Sequence, residues 1–428
     1  MSAVATEWPA FNWPMGRKIA DWTIASIVFL GAFVVDEPAP YELLLCPIIV
    51  VWACFGLKIN RHFMPMVVLL LLYAIGGLLA LTQLADPNDQ VLYVATSIFL
   101  VISAIFFAAV IAEAPERRLR LITRAYVASA IVASLVGIAG YFELLPPTGE
   151  FLRYDRLKGT FQDPNVFGPF LVLPIALLFQ QALTNRLSRS WRQIGFLLII
   201  LFAEFLAFSR AAWGMTVFAM LLVAFFVYLN EPRQTARFRI VAYLVAGAMV
   251  AALMVAVALS VPAISDLFAQ RAFFVEDYDA GRLGRFSRHV LGFFLVQEHP
   301  LGIGPLEFAK FFGEDEHNMW LKGFTTYGWL GGFAYIALVL WTLVAATPLL
   351  FKPRPWQPIL QCAFAVYLGH LMIHNVIDND HWRHLFLLYG ILWGTIAAEK
   401  MYVRSLRQAG LRPVADVLPP ALAAGGIG

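Results

Sequence analysis

Long apolar runs recur along the whole chain and exclude most water-soluble folds. A helix crosses the hydrocarbon core of a bilayer in roughly 20 residues, and the sequence contains about twelve apolar stretches of about this length. The sequence therefore predicts an all-α polytopic membrane protein with about 12 transmembrane helices. The predicted spans lie near 19–36, 41–57, 65–84, 90–112, 121–142, 163–183, 193–208, 211–229, 240–260, 325–348, 358–377 and 384–400.

The composition agrees with this class of protein. Hydrophobic residues make up 60% of the chain and charged residues 14%, whereas soluble domains are nearer half apolar and a quarter charged. The net charge of +3 is too small to imply a nucleic-acid partner. All three cysteines lie inside apolar runs, so we expect neither disulfides nor a cysteine metal site. The first apolar run lacks a small-residue cleavage pattern and is expected to remain as an uncleaved first helix.

The distribution of basic residues predicts an orientation. With the N-terminus in the cytoplasm, 20 of the 31 Lys and Arg residues fall on the cytoplasmic side, and the alternation holds across the successive loops. Cytoplasmic loops carry the excess of Lys and Arg, so both termini are predicted to be cytoplasmic. The predicted organisation is a cytoplasmic segment over 1–18, spans one to nine over 19–260, a large outer loop over 261–324, spans ten to twelve over 325–400, and a tail over 401–428 that is expected to be disordered.

Basic residues on the outer face run against this bias, so they are candidates for function. Guanidinium groups bind phosphate oxygens bidentately, which suits a diphosphate or phospholipid headgroup. Simple adhesion to anionic lipid is the alternative. Residues 286–296 are apolar enough to form an amphipathic helix on the membrane surface. The basic residues are Arg153, Arg156, Lys158, Arg210, Arg271, Arg282, Arg285, Arg288, Lys310 and Lys322.

His317 stands on the same face, where a polar segment enters an apolar one in "HNMWLKGFTTYGWLG". An imidazole is a competent general base close to neutral pH. Gly328 and Gly331 lie one turn apart in the following helix and are expected to let a second helix approach closely. Glu204, inside a predicted span, is expected to pair with an arginine.

Two other kinds of function stay open on the residues alone. His370, His374 and Asp378 share one helical face by spacing and could ligate a metal, although an interhelical polar contact is favoured. The further candidates for cation binding are Asp380, His381, His384 and the acidic clusters at 276–279 and 314–316. A polysaccharide transporter or flippase would predict pseudo-symmetric halves. No repeat is found, and no phosphate-binding loop supports ATP-driven transport.

Four segments resemble the O-antigen ligase and polymerase-like membrane glycosyltransferases. His317-Asn318, nine residues and then Gly328-Trp329-Leu330-Gly331 fit the ligase pattern of this family. "KGTFQDPNVFGPFL" is similar to its loop-to-helix entry and "FSRAAWG" to its Ser-Arg turn. "GRFSRHVLGFFLVQEHPLGIGP" is similar to its arginine segment, with Arg285 at the arginine position and Arg288 as a competitor. The departure is His289, where the family commonly has tryptophan.

The resemblance implies a GT-C-like fold in the bacterial inner membrane, with the active site on the periplasmic side. It implies transfer of a glycan from an undecaprenyl diphosphate carrier to the hydroxyl of lipid A-core or another glycan acceptor, without cofactor or metal. The family's base corresponds to His317 and its diphosphate-binding arginines to Arg210 and Arg285 or Arg288. Donor-binding candidates beside them are Arg156 and Lys158, and acceptor or secondary candidates are Asn318, Asn165 and Asp163. A polymerase of lipid-linked repeat units and a protein O-oligosaccharyltransferase are the alternatives within the enzymes.

Overall fold

A computed structural model describes residues 14–146, 150–271 and 284–410 of the protein. Apart from one two-stranded hairpin, the regular structure of these residues is helical. The helices are α1 (Pro14–Leu30), α2 (Pro40–Cys54), α3 (Met64–Leu81), α4 (Asn88–Glu113), α5 (Pro115–Tyr141), α6 (Pro164–Thr184), α7 (Leu187–Leu206), α8 (Arg210–Asn230), α9 (Gln234–Ala258), α10 (Pro262–Arg271), α11 (Arg285–Glu298), α12 (Phe308–Phe312), α13 (Met319–Thr325), α14 (Gly328–Ala346), α15 (Gln357–Ile373) and α16 (Arg383–Gln408). The hairpin pairs β1 (Leu152–Arg153) with β2 (Arg156–Leu157) in antiparallel register. The all-α prediction is confirmed.

Each of the twelve predicted spans coincides with one helix, and among the described residues seven helices are long and apolar enough to cross a membrane. The seven are α3, α4, α5, α6, α8, α9 and α14, in two cases extended by a short 3₁₀ turn. α2 and α15 are apolar but shorter, with 15 and 17 residues. At 1.5 Å per residue these two reach only about 22–26 Å, less than the roughly 30 Å of a hydrocarbon core. The architecture of a polytopic membrane protein is therefore supported, while the count of twelve crossings stays a prediction.

Segments that the charge pattern places on the outer face meet at one end of the bundle, which we call the His317 end. Hydrogen bonds join these segments in pairs. The α1–α2 connection bonds to the α5–α6 connection, and α4 bonds to the 299–307 segment. The α5–α6 connection also bonds to the α7–α8 connection, and the first residue of α13 bonds to the end of α15. The pairs are Val34 N to Thr160 O at 2.8 Å, Gln90 to Glu307 at 2.9 Å, Arg156 to Ala207 O at 3.0 Å, and Met319 N to His374 O at 2.8 Å.

Segments predicted to be cytoplasmic meet at the opposite end. The contacts there are Arg118 with Asp21 at 2.5 Å, Asn60 with Met401 at 2.8 Å, Gln357 with Asn230 at 3.1 Å, and Arg354 with Glu399 at 2.8 Å. The helices therefore run between two ends whose loops differ in charge. Which side of a membrane each end faces stays a prediction.

Burial distinguishes the interior helices of the bundle from the peripheral ones. In the most apolar 18-residue stretch of α6, 83% of the residues are buried inside the protein, against 6% in that of α9. Asp163 caps α6, because its carboxylate accepts from the Asn165 N–H at 2.7 Å. The N-terminus of this central helix therefore opens at the His317 end.

Two expectations about side chains inside the bundle need revision. Glu204 in α7 accepts a hydrogen bond from Thr216 of α8 at 2.5 Å, so its nearest polar partner is a hydroxyl instead of an arginine. Gly331 does serve close helix packing, because a Cβ on Gly76 of α3 would lie only 3.0 Å from its Cα. Gly328 has a different role: its φ of +65° is left-handed and it packs against the backbone of the 300–301 turn.

In the segment predicted as a long outer loop, 261–324, the described residues form α10, α11, α12 and nearly all of α13. α11 includes the predicted amphipathic stretch and exposes a row of apolar side chains; the exposed residues are Phe286, Val290, Leu291, Phe293 and Phe294. α16 continues to Gln408, eight residues past the predicted last span, so the predicted tail begins inside a helix. Residues 411–428, Arg282 and the acidic cluster at 276–279 lie outside the described residues.

Candidate active site

His317 lies between α12 and α13 in an unusual backbone conformation. Its φ is +47°, in the left-handed region that side chains other than glycine rarely adopt. Such a conformation costs about 1–3 kcal/mol and persists where the surrounding structure imposes it. Here Asn318 caps α13 by accepting from the Leu321 N–H at 3.0 Å, and the Met319 N–H is bonded to His374 O. The loop that carries His317 is therefore held from both α13 and the end of α15.

The imidazole of His317 is paired with the carboxylate of Asp378. Nδ1 lies 3.4 Å from Oδ1 of Asp378, and 39% of the histidine side chain is exposed. A proton on Nδ1 donated to this carboxylate leaves Nε2 as the acceptor of the ring. The hydrogen bond that His317 donates to Asp378 raises the pKa of His317, although burial and the nearby Arg285 charge oppose that shift. This arrangement suits a general base whose orientation is set by a carboxylate.

His289 supports the same loop from α11. Its Nε2–H donates to the backbone carbonyl of Glu316 at 2.8 Å, one residue before His317. Burial lowers the pKa of His289, and the charges of Arg285 and Arg288 lower it further. His289 thus places a hydrogen-bond donor next to the candidate base.

Arg285 and Arg288 have different environments on α11. Arg288 is 5% exposed, and its Nη2 lies 2.6 Å from Glu314 Oε2. Arg285 is the first residue of α11, is half-buried and contributes to the electrostatic potential at His317. Arg288 is therefore engaged in an internal ion pair, whereas the charge of Arg285 acts on the candidate base.

A buried charge network lies directly behind His317. Lys322 of α13 is 5% exposed, and its Nζ is 2.6 Å from Asp378 Oδ2. Carboxylate oxygens of Glu316 and Asp380 each lie 3.9 Å from the same nitrogen. The hydroxyls of Tyr93 and Tyr327 donate to Asp380 at 2.6 and 2.7 Å.

Sequence reasoning named Lys322, Asp378 and Asp380 separately but missed their pairing. Lys322 and Asp378 lie 56 residues apart, so no local spacing connects them. The available signal was their position: each is a charged residue immediately beside an apolar span, where an ionised group needs a partner.

The histidines proposed as metal ligands lie deeper in the bundle. His370 and His384 are buried, with ring centroids 5.2 Å apart, and Asn379 lies 3.3 Å from His370 Nδ1. Within residues 14–146, 150–271 and 284–410, no group of three or more His, Cys, Asp and Glu side chains is arranged to hold a metal ion. The rings of His370 and His384 contact each other between α15 and α16, whereas Asp378 pairs with His317 and Lys322.

The candidates of the α5–α6 connection form a second group. Arg156 is buried, and it donates to Ala207 O at 3.0 Å and to Asn165 Oδ1 at 2.8 Å. Asp163 accepts from Arg153 at 2.9 Å in addition to capping α6. These contacts tie the hairpin and α6 to the α7–α8 turn. Arg156, Asn165 and Asp163 therefore shape the site, and Lys158 beside them is half-buried.

Arg210 opens α8 at this second group and is half-buried. The preceding Ser209 caps the helix, and a Cβ at Gly214, one turn on, would lie 3.9 Å from Met372 of α15. The end of α15 also holds the His317 loop through His374 O. The two groups of candidates thus flank the same end of α15.

Comparison with known proteins adds no assignment. No protein-family model matches the chain, and no curated protein matches it.

Proposed function

We propose that the protein is an inverting, metal-independent glycosyltransferase of the O-antigen ligase type. It would transfer a glycan from undecaprenyl diphosphate to an acceptor hydroxyl, with lipid A-core as the first choice of acceptor. The proposal includes twelve membrane spans, cytoplasmic termini and a periplasmic His317 end in the inner membrane of a bacterium. The single observation that carries it is the His317–Asp378 pair, which leaves Nε2 of a partly exposed imidazole available as a base.

The proposed reaction is a direct displacement at the anomeric carbon. The acceptor oxygen attacks the anomeric carbon of the donor sugar as its proton passes to Nε2 of His317. The bond from the anomeric carbon to the diphosphate oxygen breaks on the opposite face, and the diphosphate leaves with the electron pair. Attack opposite the leaving group inverts the anomeric configuration. Asp378 stabilises the imidazolium that forms, as a carboxylate beside a catalytic histidine does.

The leaving diphosphate gains negative charge, which fixed cations stabilise. Arg285 and Arg210 are the proposed cations, because guanidinium groups bind phosphate oxygens in pairs. Arg285 is preferred over Arg288, because Arg285 is half-buried and its charge acts on His317, whereas Arg288 is only 5% exposed and pairs with Glu314. A lipid-linked donor also accounts for a site at one end of an apolar bundle, beside the exposed apolar face of α11.

Reconstituted protein supplied with lipid-linked glycan tests the proposal. Lipid A-core, a second lipid-linked unit and a serine-containing protein are offered separately as acceptors, with His62→Ala at the opposite end as the matched control. We expect transfer to lipid A-core, loss of transfer in His317→Ala with normal membrane insertion, and no inhibition by a chelator. Transfer only to a lipid-linked unit or to protein would replace the ligase by the polymerase or the protein glycosyltransferase. Retained transfer in His317→Ala would refute the base assignment.

A further inference from the structure

Lys322 is a buried cation directly behind the candidate base. Its ammonium group lies among carboxylates of Glu316, Asp378 and Asp380 at 3.9, 2.6 and 3.9 Å, and 5.5 Å from the ring centroid of Tyr93. The carboxylates come from the His317 loop and from the 374–382 connection. One side chain of α13 thus joins the two segments that meet at His317.

This arrangement is expensive for a structural contact. Removing a charged group from water costs several kcal/mol, and buried ion pairs are often no better for stability than well-packed apolar residues. Burial raises the pKa of Glu316, to which Thr325 donates a hydrogen bond at 2.5 Å. The three carboxylates therefore have hydrogen-bond or ion-pair partners, but the packing of α13 does not by itself require these charged groups.

The two oxygens of the Asp378 carboxylate have different partners. One oxygen, Oδ1, faces His317 Nδ1 at 3.4 Å, and the other, Oδ2, accepts from Lys322 Nζ at 2.6 Å. A carboxylate held at one oxygen by a short charge-assisted bond cannot rotate freely about its side-chain torsion. The orientation of the oxygen that faces the imidazole is therefore set by Lys322.

We propose that Lys322 is a positioning residue for His317, acting through the Asp378 carboxylate. The inference rests on the proposed role of His317 as general base. Lys322 orients Asp378 and also offsets the negative charge that three carboxylates create behind the imidazole. Without that offset, the imidazolium is favoured and a smaller fraction of His317 is neutral and able to accept a proton.

Other charged groups near His317 also influence the balance between its neutral and protonated forms. Arg285 and His289 face it from α11, Asp315 and Glu316 belong to its own segment, and Asp378 lies on the α15–α16 connection. Arg285 favours the neutral imidazole, and Asp378 and Asp315 favour the imidazolium. Loss of the Lys322 charge shifts this balance toward the imidazolium.

Carbethoxylation of His317 measures its protonation without any glycan substrate. Diethylpyrocarbonate reacts with neutral imidazole, and mass spectrometry of the His317 peptide gives the rate at each pH in purified full-length protein. Lys322→Met should move the midpoint of this profile to higher pH and slow modification about five-fold at pH 6.5, since imidazole titrates near that pH. Lys352→Met is the matched control, because Lys352 pairs with Glu399 at the opposite end.

Lys322→Arg separates positioning from charge and keeps the pair ionised if Lys322→Met does not fold. The charge is retained, so the carbethoxylation profile should match the wild type. The planar guanidinium does not reproduce the ammonium geometry, so transfer should fall about ten-fold. An unmoved or lower midpoint in Lys322→Met, or wild-type transfer in Lys322→Arg, would overturn the proposal. Absence of transfer by the wild-type protein would instead refute the proposed function, because the carbethoxylation result needs neither donor nor acceptor.

Discussion

Replacing Asp378 by Asn removes the charge behind the candidate base while keeping the size of the side chain. At 3.4 Å and an effective dielectric constant of about 40, suited to an imidazole that is 39% exposed, unit charges attract by about 2.4 kcal/mol. That attraction stabilises the imidazolium that forms as His317 accepts the acceptor proton. Its loss corresponds to about a 60-fold fall in kcat/KM. The single oxygen of the amide can still accept from Lys322, so the fold should persist, and the amide NH₂ group then faces His317.

The pH dependence of Asp378→Asn has a definite sign. Asp378 raises the pKa of His317, so the wild-type base stays protonated up to a higher pH than the base of the variant. A general base acts only when neutral, so the rate rises with pH through that pKa. The acid limb of Asp378→Asn should therefore lie at lower pH. The difference in rate is greatest above the acid limb and shrinks as the pH falls.

Single-turnover transfer from lipid-linked glycan, measured from pH 5 to 9, is the assay. Glu399→Gln is a matched control, since Glu399 is another buried carboxylate, paired with Arg354 at the opposite end. Thermal unfolding in detergent identifies any loss of fold. A decrease of less than five-fold above the acid limb, or an acid limb displaced to higher pH, would refute the role of Asp378.

Two further predictions concern packing and donor binding. A methyl group on Gly76 would lie 2.3 Å from the Tyr327 carbonyl oxygen, so Gly76→Ala should destabilise the α3–α14 contact by about 1–3 kcal/mol or more. Thermal unfolding should show no loss in Gly247→Ala, where nothing lies within 4 Å, and equal stability of the two variants would contradict the packing argument. Arg285→Met should raise the KM for the lipid-linked donor several-fold, because the lost guanidinium is a proposed diphosphate ligand. Arg288→Met should chiefly lower thermal stability, because its ion pair with Glu314 is buried on one side, and the reverse pattern would exchange the two roles.

The sequence could predict the helices because their cause is local. A run of about 20 apolar residues satisfies its own backbone hydrogen bonds as a helix wherever it packs. The predicted span 90–112 thus corresponds to α4, which runs over Asn88–Glu113. α16 extends beyond its predicted end because helix propensity continues into the polar residues after Glu399, which hydropathy does not detect. The 261–324 segment was expected as a loop because its helices are too short or too polar for a membrane-span criterion.

His317 and Arg285 could be named from the sequence because their residue types, motif spacing and predicted side of the membrane distinguish them. Only the tertiary structure decided that Asp378 is the partner of His317, that Arg288 is engaged with Glu314, and that Lys322 lies behind the base. The physical reason is that a buried charge is stabilised by whichever opposite charge the packed helices bring near it. Spacing along one helix suggested that Asp378 is a metal ligand. In the folded protein α13 packs against the α15–α16 connection, so the Asp378 carboxylate pairs with Lys322 and His317.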